Sequence, residues 1–215
     1  YRADELRYLF ANAGSAAIIH DAEFSPLMRE VRGDVPTLKL SVAVADGSGA
    51  DIAGSLAYAD LLAHEPGGPW ERGEDDILLS YTGGTTGMPK GVVWRHGDVV
   101  MALGGGIDIM SGEKVSSPEG FVEKGRTGFP LVSYPLPPLM HGASQWSVMA
   151  QSFVGNKVVL RGKFDPADVW STVENEKANL IMITGDAMAR PLLDYVAANT
   201  DKHELSSLFA VSSSA

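Results

Sequence analysis

The chain has 215 residues, of which 45% are hydrophobic and 20% are charged, and this composition is typical of a globular protein with a sizeable core. Its formal net charge of −10 argues against non-specific binding to nucleic acid or to an anionic membrane, although one loop can still bind a small anion. The absence of cysteine excludes disulfides and thiolate zinc sites. No transmembrane-length run or signal sequence is present, so we expect a cytoplasmic protein.

Short apolar runs of strand length recur along the chain. Most of them are apolar throughout, which is typical of strands that are covered on both faces. The predicted strands are residues 16–20, 38–44, 76–82, 91–95, 129–136, 156–162, 179–185 and 208–214.

Helix-like segments lie between these runs, at residues 3–14, 165–177 and 186–199. Gly14 predicts the end of the first, and Asp165 is a candidate N-cap of the second. Pro191 leaves the start of the third open. Strands that alternate with helices predict an α/β fold with a largely parallel sheet and flanking helices.

Two polar stretches connect these elements. Residues 64–76 are predicted to be a surface connection, and residues 111–128 a long polar loop. Residues 208–214 resemble a buried strand that runs into a serine turn at the end of the sequence. We therefore expect the sequence to be cut short at both ends.

The stretch YTGGTTGMPKG, Tyr81 to Gly91, has the residues of a phosphate-binding loop. Glycines let backbone N–H groups approach a ligand, threonine hydroxyls donate to phosphate oxygens, and a lysine adds positive charge. The alternative is a glycine-rich hairpin with exposed threonines and a solvated lysine. The candidate cradle consists of Gly83, Gly84, Thr85, Thr86, Gly87 and Lys90.

This loop is not a Walker A loop, because Met88 and Pro89 separate Gly87 from Lys90. It resembles instead the signature loop of the adenylate-forming enzymes, which include acyl-CoA synthetases, luciferases and peptide-synthetase adenylation domains. Ten of its eleven positions fit the pattern of that family. The departure is Gly83, where the family commonly has a hydroxyl residue, so Thr82, Thr85 and Thr86 are left to supply hydroxyls.

Further stretches resemble the same family in the same order. In YPLPPLMHGAS, His141 takes the position that lies beside the bound carboxylate and the adenylate in the family, and the alternative is a histidine that finishes a strand-to-helix turn. Trp146 follows on a predicted helix, where it either lines an acyl pocket or packs in the core. Residues 183–196 and 208–215 resemble the helix and strand that lead to the adenine-binding turn.

The resemblance implies that residues 1–215 are an incomplete N-terminal domain, which binds ATP and the acyl group, and that the C-terminal domain is absent. The parent would be an AMP-forming acyl-CoA ligase, most like a fatty-acid–CoA ligase, that uses ATP, Mg²⁺ and coenzyme A. The loop would bind the β- and γ-phosphates. Lys90 is not the adenylation lysine of the family, no residue of the chain is assigned to the metal, and we expect the chain alone to be inactive.

Alternatives remain at the level of sequence. A non-catalytic module that binds a nucleotide or phosphate, or an acyl-AMP ligase without CoA transfer, would share these motifs, and a third reading treats the loop as inert. The glycines at 104–106 either let a substrate pass close to the backbone or break a helix. The Ser-x-x-Lys pattern at 111–114 is a weak motif. Neither the acid nor the oligomeric state can be read from the sequence, and a homo-oligomer stays open.

Overall fold

The computed structural model describes residues 1–82, 87–103 and 114–214. The chain divides into two compact units, Tyr1–Arg95 and His96–Ala215.

The first unit opens with alternating helices and parallel strands. The elements are α1 (Ala3–Asn12), β1 (Ala17–Asp21), α2 (Ser25–Arg32), β2 (Leu40–Val44), β3 (Leu56–Ala57) and α3 (Tyr58–Leu62). The three strands form one parallel sheet in the order β1-β2-β3. As predicted, α1 ends just before Gly14, which has the left-handed φ of +61° that favours glycine after a helix.

The core of this part lies where α1 packs on α2. Leu6 and Phe10 share one face of α1, and Phe10 is buried together with Met28 and Val31 of α2. Burial of such an apolar stripe, rather than local propensity, is what stabilises short helices.

A β-hairpin follows in the same unit. Strand β4 (Ile77–Thr82) pairs antiparallel with β5 (Lys90–Arg95). Because one face of the hairpin carries large apolar side chains without cover, the expectation of strands buried on both faces is wrong here: Ile77 is 58% exposed and Val93 is 61% exposed.

The second unit is built on a four-stranded parallel sheet. The elements are α4 (His96–Leu103), α5 (Pro118–Thr127), β6 (Val132–Pro135), α6 (Gly142–Phe153), β7 (Lys157–Val158), α7 (Pro166–Glu176), β8 (Leu180–Ile183), α8 (Asp186–Ala198) and β9 (Ala210–Ser213). The strand order is β7-β6-β8-β9, so the buried strands β6 and β8 are central.

Its core joins the sheet to α7 and α8. Tyr134, Val173 and Ile181 are buried there, and burial raises the pKa of the Tyr134 phenol. The Trp170 indole donates to the Leu192 carbonyl oxygen at 3.1 Å, which ties α7 to α8. The predicted cap of α7 is confirmed, because the Asp165 carboxylate accepts from the Asp168 amide at 2.9 Å.

The predicted α/β class with largely parallel sheets is confirmed, and a strand lies in each predicted segment. The loop predicted at 111–128 is wrong in part, because α5 begins at Pro118 and Ser117 accepts from the Gly120 amide as its N-cap. The segment at 156–162 pairs over only two residues, Lys157–Val158. Of the helices described, none is long and apolar enough to cross a membrane.

Candidate functional site

The ends of the hairpin hold two of the predicted site residues together. In the ladder, Thr82 is directly opposite Lys90, so their side chains project from the same face at neighbouring positions. Gly87, on the return path to β5, has a φ of +88°, which favours glycine. Gly83, Gly84, Thr85 and Thr86 lie outside the described residues.

Lys90 presents an uncompensated charge at this position. Its side chain is exposed, and within the described ranges the structure records no carboxylate in ion-pair distance of its ammonium. A solvated ammonium beside a threonine hydroxyl is a donor pair for an anionic ligand such as phosphate. The hairpin that was the alternative to a phosphate-binding loop is therefore present. It carries two of the proposed phosphate donors, Thr82 and Lys90.

Tyr81 fixes the hairpin to α1. Its ring lies over Gly91, the residue opposite it in the ladder, and a Cβ at Gly91 would come within 3.0 Å of the ring. Its hydroxyl donates to the Asn12 side-chain oxygen at 2.5 Å. Sequence reasoning missed the Tyr81–Asn12 bond, since the two residues are 69 positions apart.

His141 is the N-cap of α6. Its Nδ1 accepts from the Ala143 amide at 3.2 Å, and its own amide donates to the Pro138 carbonyl oxygen at 2.8 Å. Because Nδ1 accepts, the proton of the neutral ring lies on Nε2, and the residue is exposed. His141 therefore finishes a strand-to-helix turn and also offers an N–H donor to a ligand.

Trp146 lies on the same end of α6. A Cβ at Gly142 would be 3.5 Å from the Trp146 Nε1 atom, so the indole covers the first turn of the helix. The buried Ser144 hydroxyl donates to the Pro137 carbonyl oxygen at 2.6 Å and holds this turn against the preceding segment. The structure thus places His141 and Trp146 at the same end of α6, with Trp146 half-buried.

The carboxyl edge of the four-stranded sheet holds Gly185 and Ser213, which lie in the stretches that resemble the approach to the adenine-binding turn but which the sequence did not single out. Gly185 follows β8 with φ 59° and ψ −165°, a conformation essentially restricted to glycine. Its amide donates to the Ser213 hydroxyl at the end of β9, at 3.1 Å. Ligands of open α/β sheets bind at this edge, and the available signal was that both residues lie at the carboxyl ends of the predicted strands 179–185 and 208–214.

The remaining candidates contribute less. The glycines at 104–106 and residues 111–113 lie outside the described residues. In the part of the chain that the structure describes, no group of three His, Asp or Glu side chains could hold a metal ion. The described residues therefore do not provide a carboxylate set for Mg²⁺.

The family model for AMP-binding enzymes matches residues 1–215. The chain belongs to the AMP-binding enzyme family. A 3-oxocholest-4-en-26-oate–CoA ligase from Rhodococcus rhodochrous is 42% identical over 223 residues, which cover 100% of this chain and 40% of that relative. A medium/long-chain-fatty-acid–CoA/3-oxocholest-4-en-26-oate–CoA ligase from Mycolicibacterium smegmatis is also 42% identical, with the same coverage of 100% and 40%.

Solved structures of this family share the fold. The inhibitor-bound N-terminal domain of FACL13 from Mycobacterium tuberculosis matches 99% of this chain and 48% of that chain, with a TM-score of 0.71 and 21% identity. The predicted resemblance to adenylate-forming enzymes, close to fatty-acid–CoA ligases, is confirmed. The chain spans about 40% of the length of the relatives named above.

Proposed function

We propose that residues 1–215 provide the ATP-binding and acyl-binding part of an N-terminal domain in an ATP-dependent carboxylic acid–CoA ligase. The observation that carries this proposal is the hairpin, whose ladder sets Lys90 opposite Thr82 within a chain that the AMP-binding family model matches. Family members 42% identical to the chain carry names of CoA ligases.

The proposed reaction has two steps. A carboxylate oxygen attacks the α-phosphorus of ATP, the bond to the β-phosphate oxygen breaks, and pyrophosphate leaves an acyl adenylate. The thiol of coenzyme A then loses its proton and attacks the acyl carbon, and AMP leaves. Neither step needs a protein nucleophile, so the protein contributes positioning and charge neutralisation.

The hairpin acts on the leaving pyrophosphate. Lys90, Thr82 and the segment 83–87 donate to the β- and γ-phosphates, which offsets the charge that develops as the bond breaks. A Mg²⁺ ion bound to the polyphosphate would neutralise part of its charge. None of the described residues is proposed to bind the metal ion.

His141 acts at the acyl end. Its Nε2–H donates to an oxygen of the bound carboxylate or adenylate, while Nδ1 stays occupied by the Ala143 amide. In this proposal Trp146, which lies at the same end of α6, forms an apolar wall of the acyl pocket. A hydrophobic acid fits such a wall, and the names of the relatives include long-chain fatty acids and a steroid acid. We also propose that the protein is cytoplasmic.

The test is ATP–pyrophosphate exchange that depends on a carboxylic acid, followed by detection of the CoA thioester, with the protein carrying all segments that its gene encodes. Lys90→Ala is expected to weaken ATP binding by about 1.5–3 kcal/mol, or roughly 10- to 150-fold. The matched control is Lys163→Ala, since Lys163 is exposed and far along the chain in the second unit. An unchanged ATP affinity in Lys90→Ala would contradict the assignment of the loop.

Product analysis separates the alternatives. Exchange without a thioester product indicates an acyl-AMP ligase, and ATP binding without exchange indicates a non-catalytic module. The 215-residue chain on its own is expected to show no exchange, because the proposed activity belongs to a protein of which the chain is a part. Acid-dependent exchange by the chain alone would contradict that expectation.

A further inference from the structure

A cavity of about 430 Å³ lies in the first unit, between the C-terminal end of α2 and the amino ends of β2 and β3. Small-molecule sites typically measure about 300–1,000 Å³. Its lining contains three cationic side chains and no acidic one, in a protein with a net charge of −10. The cations are Arg29, Arg32 and Lys39.

These cations are only partly neutralised. Arg29 forms an ion pair with the Asp51 carboxylate at 3.3 Å. Arg32 donates to two carbonyl oxygens, those of Gly54 at 2.7 Å and Lys39 at 2.6 Å, and among the described residues no carboxylate forms an ion pair with it. For the Lys39 ammonium, no ion pair is recorded with the residues that the structure describes. One carboxylate therefore faces three cations.

Hydrogen-bond donors are left over on the same side chains. The recorded bonds of Arg29 all start from Nη1, and those of Arg32 use Nη1 and Nη2 once each. A guanidinium carries further N–H groups in a planar fork that matches an oxyanion. The two arginines thus hold the segment before β3 and still have donors available for a ligand.

The hydroxyl groups in the wall are satisfied without a ligand. His20 Nδ1 lies 2.8 Å from the Asp21 carbonyl oxygen, which can only accept, so Nδ1 carries the proton and Nε2 accepts. Ser41 lies 3.0 Å from Nε2, and the Ser41 and Ser55 hydroxyls are 2.9 Å apart. Both hydroxyl protons are used in this series of hydrogen bonds. The side chains of Arg29, Arg32 and Lys39 are therefore the donors toward the cavity.

The floor of the cavity is apolar. Met28, Val35 and Leu38 line it and are also buried members of the core between α1 and α2. A ligand that fits both surfaces has an anionic head and a compact apolar body. The carbonyl dipoles at the α2 C-terminus disfavour an anion, and the arginines of the last turn oppose that effect.

We propose that this cavity binds a phosphate monoester with a small apolar body. A dianion matches the excess of two cations over carboxylates better than a carboxylate does. The site is separate from the proposed ATP site, because it is formed by α2 and by the starts of β2 and β3, and it does not depend on the proposed function.

The test is calorimetric titration with phenyl phosphate at pH 8, in a Lys90→Ala background that removes the charge of the phosphate loop. Lys39→Gln is expected to weaken binding about tenfold, while Lys163→Gln changes it less than about twofold. Arg32→Lys, which keeps the charge and loses the planar fork, is expected to weaken binding without loss of the fold, as checked by circular dichroism.

Comparison ligands test the chemical class. Inorganic phosphate and benzoate are each expected to bind at least about tenfold more weakly than phenyl phosphate. Equal binding of inorganic phosphate would overturn the role of the apolar floor, and equal binding of benzoate would overturn the preference for a dianion. An undetectable titration, or one that Lys39→Gln leaves unchanged, would overturn the site itself.

Discussion

Gly91 faces the ring of Tyr81 across the hairpin, and this contact explains why a glycine stands at that position. A methyl group there would come within 3.0 Å of the ring. We expect Gly91→Ala to destabilise the protein by about 1–3 kcal/mol, measured by urea denaturation, because ring and strand must separate. Gly68→Ala is the control, since a Cβ at Gly68 meets nothing within 4 Å. Equal stability of the two variants would show that the ring moves freely.

His141 combines a structural bond with the proposed ligand contact, and two substitutions separate them. Asn is a good N-cap, so His141→Asn keeps the bond from the Ala143 amide and loses the ring Nε2 donor. His141→Ala loses both and is expected to cost about 1 kcal/mol of stability. We therefore expect reduced exchange in both variants and reduced stability only in His141→Ala. Full exchange activity in His141→Asn would contradict the proposed ligand contact and show that His141 acts only as a helix cap.

At the scale of elements, Asp46 joins the turn after β2 to the turn after β1. The Ser48 hydroxyl and then the Glu23 amide lower the pKa of the Asp46 carboxyl to about 2. The Glu23 amide donates to that carboxylate at 2.7 Å. Since the folded-state pKa is depressed, the stabilisation is complete above the ordinary value of 3.8 and is lost as the pH falls towards 2.

The corresponding experiment compares the wild-type protein with Asp46→Asn by denaturation across this pH range. The wild-type protein is expected to be more stable near pH 6, and the difference should shrink below about pH 4 and vanish only below about pH 2. Glu65→Gln serves as a control, because Glu65 is exposed on a connection. A difference between the proteins that is independent of pH would contradict the role of the Asp46 charge.

The elements show where the sequence was informative. Apolar runs and caps located the helices α1, α7 and α8 and every described strand except the two-residue β3, because these signals are local. Helix α5 was missed, since its polar residues gave no apolar period and only Phe121 is buried. Pro191 obscured the start of α8, yet it lies inside that helix, where packing against the sheet outweighs a lost hydrogen bond.

Across the whole molecule, the residues that the sequence placed in one site are divided between the two units. Thr82 and Lys90 belong to the first, and His141 and Trp146 belong to the second. A contiguous motif such as Tyr81–Gly91 could be recognised from residue types alone, and its role in phosphate binding stays a prediction. The bonds from Tyr81 to Asn12 and from Gly185 to Ser213 could not, because they join residues 69 and 28 positions apart.

The exposed apolar face of the hairpin has a consequence for the behaviour of the chain in solution. Leu79 and Val93 are cross-strand partners on that face, beside Ile77, and all three are exposed. Contiguous apolar surface of this kind binds hydrophobic dyes and promotes self-association. We expect the 215-residue chain to increase the fluorescence of anilinonaphthalene sulfonate. A double variant that combines Leu79→Thr with Val93→Thr should lower that signal by about half or more.

The free energy of unfolding should change little in this double variant, by about 0.5 kcal/mol, because both side chains are already in contact with solvent and Thr suits a strand. Leu62→Thr is the matched control, since Leu62 is 69% exposed and lies on α3, away from the strand pair. Its dye signal should stay close to that of the wild-type chain. An equal drop in the control, or no drop in the double variant, would show that the dye binds elsewhere than on the hairpin face.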